Sequence, residues 1–189
     1  MTKVTIFGSG NMGSAIASVF AAGGASVDHI GTDGGTVTGD VVVLAVPYPA
    51  VDAIVASHGD QLAGKIVVDI TNPLDFSTFD SLVVADGTSA TAELAAKLPS
   101  SSVIKAFNTT FAATLATKKV GDIDTTVLIA GDDEAAKQTL AQLVTAGGVQ
   151  AIDAGSLKRA HELEAVGFLQ LTLAAAEKIS WTGGFGIVR

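Results

Sequence analysis

The sequence predicts an α/β fold: a doubly wound, mostly parallel sheet with a long C-terminal helix. Three observations predict it. Short β-branched apolar runs alternate with stretches of helical periodicity along the whole chain. Residues 40–46 are almost continuously apolar, as suits a strand covered on both faces. A glycine-spaced turn, Gly8-Ser9-Gly10-Asn11-Met12-Gly13, separates the first apolar run from the first helical stretch.

Taken in order, residues 3–7 form a strand that stops at Gly8. Residues 11–22 form a helix with Ile16, Val19 and Phe20 on one face, and Gly13, Ala17 and Ala21 fall at four-residue spacing. Gly23 and Gly24 close it. Residues 25–31 make a second strand, weakened by Asp28 and His29. The connection 32–39 then arrives almost directly at the strand 40–46, which ends at Pro47.

A helix over 50–62 leads to a buried strand at 65–70, followed by an irregular, polar stretch from 74 to 87. Residues 90–98 are helical, 103–107 and 125–130 are strands, 134–146 is a helix and 149–152 a short strand. One long helix is predicted from Ser156 to about Trp181. The chain is expected to form a single dinucleotide-binding domain over 1–189, with a core over about 1–155 and a helical portion over about 156–189.

Apolar residues make up 48% and charged residues 16%, which excludes a disordered chain. The apolar stretch 165–176 falls short of the ~20 residues a spanning helix needs, so no membrane partner is expected. A net charge of −8 repels nucleic-acid phosphates. There is no cysteine for a disulfide, a thiol nucleophile or a thiolate metal site. The opening residues lack a leader's pattern, so a cytoplasmic location is expected.

In the glycine turn, Gly8 permits a tight bend, Gly10 lets the backbone approach a pyrophosphate, and Gly13 lets helix and strand pack closely. The free N–H groups at the helix start then face the anion. Asp33 lies 20 residues beyond Gly13, where a carboxylate can accept the ribose 2′-hydroxyl of NAD and repel the 2′-phosphate of NADP. Gly31 and Thr32 offer an N–H and a hydroxyl to such a phosphate. Asp33 is equally readable as a turn residue beside Gly34 and Gly35. Both dinucleotides stay open.

The chain resembles the NADP-dependent oxidoreductases of the deazaflavin coenzyme F420. The resemblance rests on the glycine turn, Ala45-Val46-Pro47, the DITNPL segment at 69–74, the VIKAFNT segment at 103–109 and Gly184-Phe185-Gly186-Ile187-Val188. It implies a Rossmann core closed by a C-terminal helix, with NADP as the usual dinucleotide and hydride transfer to a second flat redox cofactor. It also implies that Ala45, Val46, Pro47 and Tyr48, then Asn72 and Pro73, then Ala106, Phe107 and Asn108 line the dinucleotide and the transfer cleft. Two features depart from the family: Asp33 stands about where a basic residue usually meets the 2′-phosphate, and the second crossover is too short for its usual helix and strand.

No side chain is nominated as catalytic, since hydride transfer is the cofactor's own chemistry. His29, His58 and His161 lack a nucleophile or a second metal-spaced histidine, and no metal site is expected. His58 reads as a solvated cap at a helix end. Glu162 and Glu164, two apart on a helix, are not a carboxylate pair. Lys158 and Arg159 read as a solvated face or, alternatively, as a pair that meets an acidic ligand group. Lys105 reads either as a proton donor or as a lysine snorkelling from the sheet end. Asn72 and Asn108 are candidates for orienting the nicotinamide amide or the acceptor ring, or else simply cap turns.

The expected function is therefore an NAD(P)H-binding oxidoreductase acting on a deazaflavin, flavin or similar small partner. A pyrroline-5-carboxylate-reductase-like enzyme is the second reading, from the segment Gly10-Asn11-Met12-Gly13-Ser14-Ala15-Ile16. A non-catalytic dinucleotide sensor is the third. Val166, Phe168, Leu169, Leu171 and Leu173 make the last helix apolar on more than one side, which predicts a homodimer.

Overall fold

The computed structural model describes residues 1–188. The chain runs β1 (Lys3–Phe7), α1 (Asn11–Ala22), β2 (Ser26–Ile30), β3 (Val41–Leu44), a 3-10 turn at Tyr48–Ala50, α2 (Val51–Leu62) and β4 (Ile66–Asp69). It continues with α3 (Ala90–Lys97), β5 (Ser102–Ala106), α4 (Ala112–Thr117), and a two-strand hairpin of β6 (Lys119–Val120) and β7 (Ile123–Asp124). Then follow β8 (Thr126–Gly131), α5 (Glu134–Ala146), β9 (Gln150–Gly155) and α6 (Ala160–Ala175).

Seven strands form one sheet in the order β2-β1-β3-β4-β5-β8-β9. All neighbours are parallel except β5 and β8. This is the doubly wound, Rossmann-type architecture expected. The chain steps from β1 out to β2 and then returns past β1 to β3, so the winding reverses between β1 and β3. Crevices of this kind lie outside the carboxyl ends of the strands at such a reversal.

The central strands feed two cores. Val41 and Val43 of β3 pack with Ile16, Phe20, Ile104 and Leu140, while Val42 and Leu44 pack with Leu62, Leu94 and Val103. All four residues of β3 are buried, which is why its sequence shows no alternation of polar and apolar residues.

The short second crossover is a turn over residues 31–34 followed by a strip without helix or strand over residues 35–40. Gln61 Oε1 accepts from Val37 N (2.8 Å), and Thr5 Oγ1 accepts from Gly39 N (2.9 Å). Asp28 accepts from the hydroxyls of both Thr5 (3.1 Å) and Thr38 (3.2 Å). The polar residue that weakens β2 in the sequence thus fastens the strip that replaces a helix.

The last helix is shorter than the periodicity predicts. Residues 157–159 form a 3-10 turn held by Leu157 N donating to Asp132 Oδ1 (2.8 Å), and α6 begins only at Ala160. It stops at Ala175 because Glu177 takes a left-handed φ of +57° and Lys178 N donates back to Leu173 O (2.8 Å). Among the described residues no helix is long and apolar enough to cross a membrane.

Candidate functional site

The glycine turn sits at the reversal point. Ala45 N donates to Phe7 O (2.9 Å) and Gly8 N to Ile30 O (3.0 Å), so the chain leaves β1 between the ends of β2 and β3. Gly8 has φ +100°, and a Cβ there would overlap the carbonyl oxygen of Ala45. A Cβ on Gly13 would come within 2.5 Å of Gly8 O. Around Gly10 the position of a Cβ has no atom within 4 Å. Two of the three glycines thus serve the protein's own packing, and the third keeps a face open to something outside it. No side chain caps the start of α1 at Gly10, which leaves an anion-favouring end exposed.

A cleft of about 770 Å³ opens beside this turn, a size suited to a cofactor. Phe7, Gly8 and Ser9 form one side, and the turn Gly31-Thr32-Asp33-Gly34 forms the end of β2. Val46, Ala50, Ala53 and Ile54 supply apolar wall, with Ser57 and His58 at its margin. His58 is not a solvated cap: its Nε2 contacts Gly35 O (3.2 Å), its Nδ1 contacts Ser57 Oγ (2.8 Å), and its ring meets Phe7 edge-on. Asp33 and Thr32 have no side-chain hydrogen bond among the described residues.

The carboxyl ends of β4 and β5 are built differently. Lys105 is fully buried, and its ammonium reaches Asp69 Oδ2 (2.9 Å), Glu164 Oε1 (3.0 Å) and Thr71 O (2.6 Å). Two hydrogen bonds and a further ion pair thus hold the ammonium inside the protein, and the lysine does not snorkel. Ala90 N donates to Glu164 Oε2 (2.9 Å) and Thr91 Oγ1 to Asp69 Oδ2 (2.7 Å), so the amino end of α3 offsets the second carboxylate.

One step further along both strands, Asn108 Nδ2 donates to Asn72 Oδ1 (2.9 Å) and Leu163 O (2.8 Å). Asn72 Nδ2 returns a bond to Asn108 O (3.0 Å). Gly167 of α6 lies against this pair, and a Cβ there would collide with Asn72 Oδ1. Gln170 then donates to Thr109 O (3.3 Å) and accepts from Phe185 N (3.0 Å), which fastens the tail. The two motif segments act as one clamp that holds α6 on the strand ends.

The residues expected from the sequence therefore divide. Gly8, Ser9, Gly31, Thr32, Asp33 and Val46 line the cleft, and Gly10, Asn11, Met12 and Gly13 form the helix start beside it. Ala45 backs Gly8, and Pro47 is exposed. Tyr48 instead donates its hydroxyl to Glu93 of α3 (2.8 Å). Burial, and then the bond to the Glu93 carboxylate, push its phenol up to about 12.

Pro73, Ala106 and Phe107 are buried; the Phe107 ring packs on Phe20, with φ +64° turning the chain toward Asn108. Asn108 spends both amide hydrogens on protein acceptors, and Asn72 donates one to Asn108 O. Among the described residues, only Asn108 Oδ1 and Thr71 Oγ1 remain as buried side-chain oxygens without a partner. Lys158 and Arg159 border a separate cleft of about 370 Å³, where Arg159 pairs with Glu162 (3.1 Å).

Sequence reasoning missed the triad of Asp69, Lys105 and Glu164. The signal was present: one lone charge in each of two apolar strands calls for a buried counter-charge.

An open glycine turn at the winding reversal of a parallel sheet defines a class, the Rossmann proteins of the dinucleotide-binding type. Comparison with known proteins narrows it. The family model for coenzyme F420-dependent NADP oxidoreductases matches residues 25–73. The F420-dependent NADP reductase of Methanocaldococcus jannaschii is 34% identical over 77% of this chain and 66% of its own length. That of Methanothermobacter thermautotrophicus is 31% identical over 82% of this chain and 72% of its own. A crystal structure of a proposed F420-dependent NADP reductase from Arthrobacter sp. FB24 superposes with a TM-score of 0.86 at 25% identity, covering both chains in full. The chain belongs to the family of F420-dependent NADP reductases, a family of oxidoreductases.

Proposed function

We propose that this protein is a nicotinamide-dinucleotide-dependent oxidoreductase that exchanges a hydride with a deazaflavin, flavin or similar flat acceptor. The observation that carries the reading is the glycine turn, open at Gly10 and closed at Gly8 and Gly13, beside an apolar cleft at the winding reversal. When bound, the nicotinamide supplies the hydride chemistry itself. The chain's part is to hold the pyrophosphate on the N–H groups that open α1, seat the adenosine in the cleft, and present the ends of β4 and β5 to the reacting rings. There the unpartnered Asn108 Oδ1 and Thr71 Oγ1 would gain from a water or an amide that reached them.

The relatives' names give NADP as the dinucleotide those enzymes reduce and F420 as the cofactor on which the reduction depends. The test is oxidation of reduced dinucleotide across a panel of deazaflavins, flavins, quinones and cyclic imines. Turnover with a deazaflavin or flavin is expected, and silence across the whole panel would sink the enzyme reading. Reduction of dinucleotide by proline alone would instead favour the pyrroline-carboxylate class.

One observation favours a non-catalytic sensor: the charged groups nearest the transfer cleft are paired with one another. Tight dinucleotide binding without turnover on any acceptor would select it. For assembly, Val166 and Leu169 are exposed on the outer side of α6. We read this face as a homodimer contact, which a monomeric mass at micromolar concentration would overturn.

A further inference from the structure

We infer that the adenosine end of the cleft is built for a dinucleotide with a free ribose 2′-hydroxyl, NAD(H), and that Asp33 selects it. The inference rests on the dinucleotide reading above and departs from the NADP named for the methanogen reductases. Asp33 occupies the two-residue tip of the turn between Gly31 and Gly34, closed by Gly34 N donating to Gly31 O (3.2 Å). It borders the cleft, it is exposed, and no hydrogen bond or ion pair to a described residue engages its carboxylate. An unengaged carboxylate at the end of the second strand can take both a 2′- and a 3′-hydroxyl as donors.

A 2′-phosphate would meet the opposite conditions. No lysine or arginine among the described residues borders the cleft. The described cations lie elsewhere: Lys3 opens β1, Lys65 precedes β4, Lys97 pairs with Asp52 (2.5 Å), and Lys105 is sealed in its triad. His58 is the one bordering side chain able to carry positive charge, and both of its ring nitrogens are engaged by Gly35 O and Ser57 Oγ. His29 does not border the cleft, and its Nδ1 lies on Gly8 O (2.9 Å). Thr32 offers a single hydroxyl, which does not offset a phosphate brought beside a carboxylate on a chain of net charge −8.

The test is calorimetric titration of the full chain with NADH and NADPH, and with ADP and 2′-phospho-ADP as fragments confined to the adenosine end. NADH is expected to bind at least ~30-fold more tightly than NADPH, with the same order for the fragments. Raising the salt concentration should narrow the gap by strengthening NADPH binding, because screening weakens a repulsion. Asp33→Asn should narrow it as well, and Asp33→Arg should reverse the order. Equal or tighter binding of NADPH by the unaltered chain overturns the inference and leaves the dinucleotide reading standing. Binding of neither dinucleotide overturns that reading itself. A preference for NADH that survives in Asp33→Arg would show that another group selects it.

Discussion

The carboxyl ends of the sheet carry two motif regions in opposite states. At β1 and β2 the groups at the turn tips are unspent: Gly10 faces open space, and Thr32 and Asp33 have no side-chain hydrogen bond among the described residues. At β4 and β5 almost every polar group is spent, with Asp69, Lys105 and Glu164 closed on one another and Asn72 on Asn108. The difference teaches that a recognisable motif does not announce which way its residues face. The first motif is left open on one face, as the dinucleotide site we propose there requires. The second binds the protein to itself and presents only its outer rim.

The hardest way to break the comparison is at the closed end. Lys105→Met strands two buried carboxylates and should cost about 3–5 kcal/mol, lowering the melting temperature by roughly 10 °C. Adding Glu164→Gln should recover part of that loss, and binding of an adenosine fragment at the open end should not change. A loss under about 1 kcal/mol in thermal unfolding would mean that the triad holds nothing, as with an exposed pair.

The open end is broken in the converse way. Gly10→Val fills space that no protein atom uses, so the fold should lose no more than about 1 kcal/mol, while dinucleotide affinity falls about 100-fold, or roughly 2.8 kcal/mol. Gly8→Ala should do the reverse to the fold and destabilise it strongly, because the left-handed φ and the Ala45 carbonyl both exclude a Cβ. Comparing melts and titrations of the two variants separates structural from ligand-facing glycines; equal melting of both would erase that distinction.

Between the two ends stands Tyr48, the only tyrosine. Its native value near 12 lies above the unfolded value near 10, so the native state favours the neutral phenol. This contribution is whole below pH 10 and is lost as pH rises through about 12. Ultraviolet titration should place phenolate formation near 12, falling toward 10 in Glu93→Gln. An unchanged titration in that variant would deny the link from the cleft's lead-in to α3.

The smallest effect is at the end of α6. Glu177 holds a left-handed φ that glycine adopts without cost, so Glu177→Gly should raise stability by about 1 kcal/mol, or 2–4 °C. A drop in melting temperature would show that the glutamate side chain has a role there.

Much of this was legible in the sequence. The seven sheet strands follow from apolar runs, and the glycine turn falls where its spacing puts it, because both signals are local. The end of α6 was not legible: no glycine, asparagine or proline marks residues 176–178, and the stop comes from a left-handed glutamate. The facing of Asn72 and Asn108 was equally hidden. It depends on Leu163 and Gly167, more than fifty residues beyond the second motif, and local pattern does not reach so far. A clue lay in the spacing itself, for Asp69 meets Lys105 and Asn72 meets Asn108 at the same separation of 36 residues.

The abbreviated second crossover leaves β2 at one edge of the sheet, paired with β1 on one side only. Such a margin is a template on which another chain can add a strand. β2 is five residues long and carries Asp28 and His29 at its centre, both poor material for stacking copy upon copy. The composition that makes this strand faint to read is therefore also what makes it a poor seed for fibres.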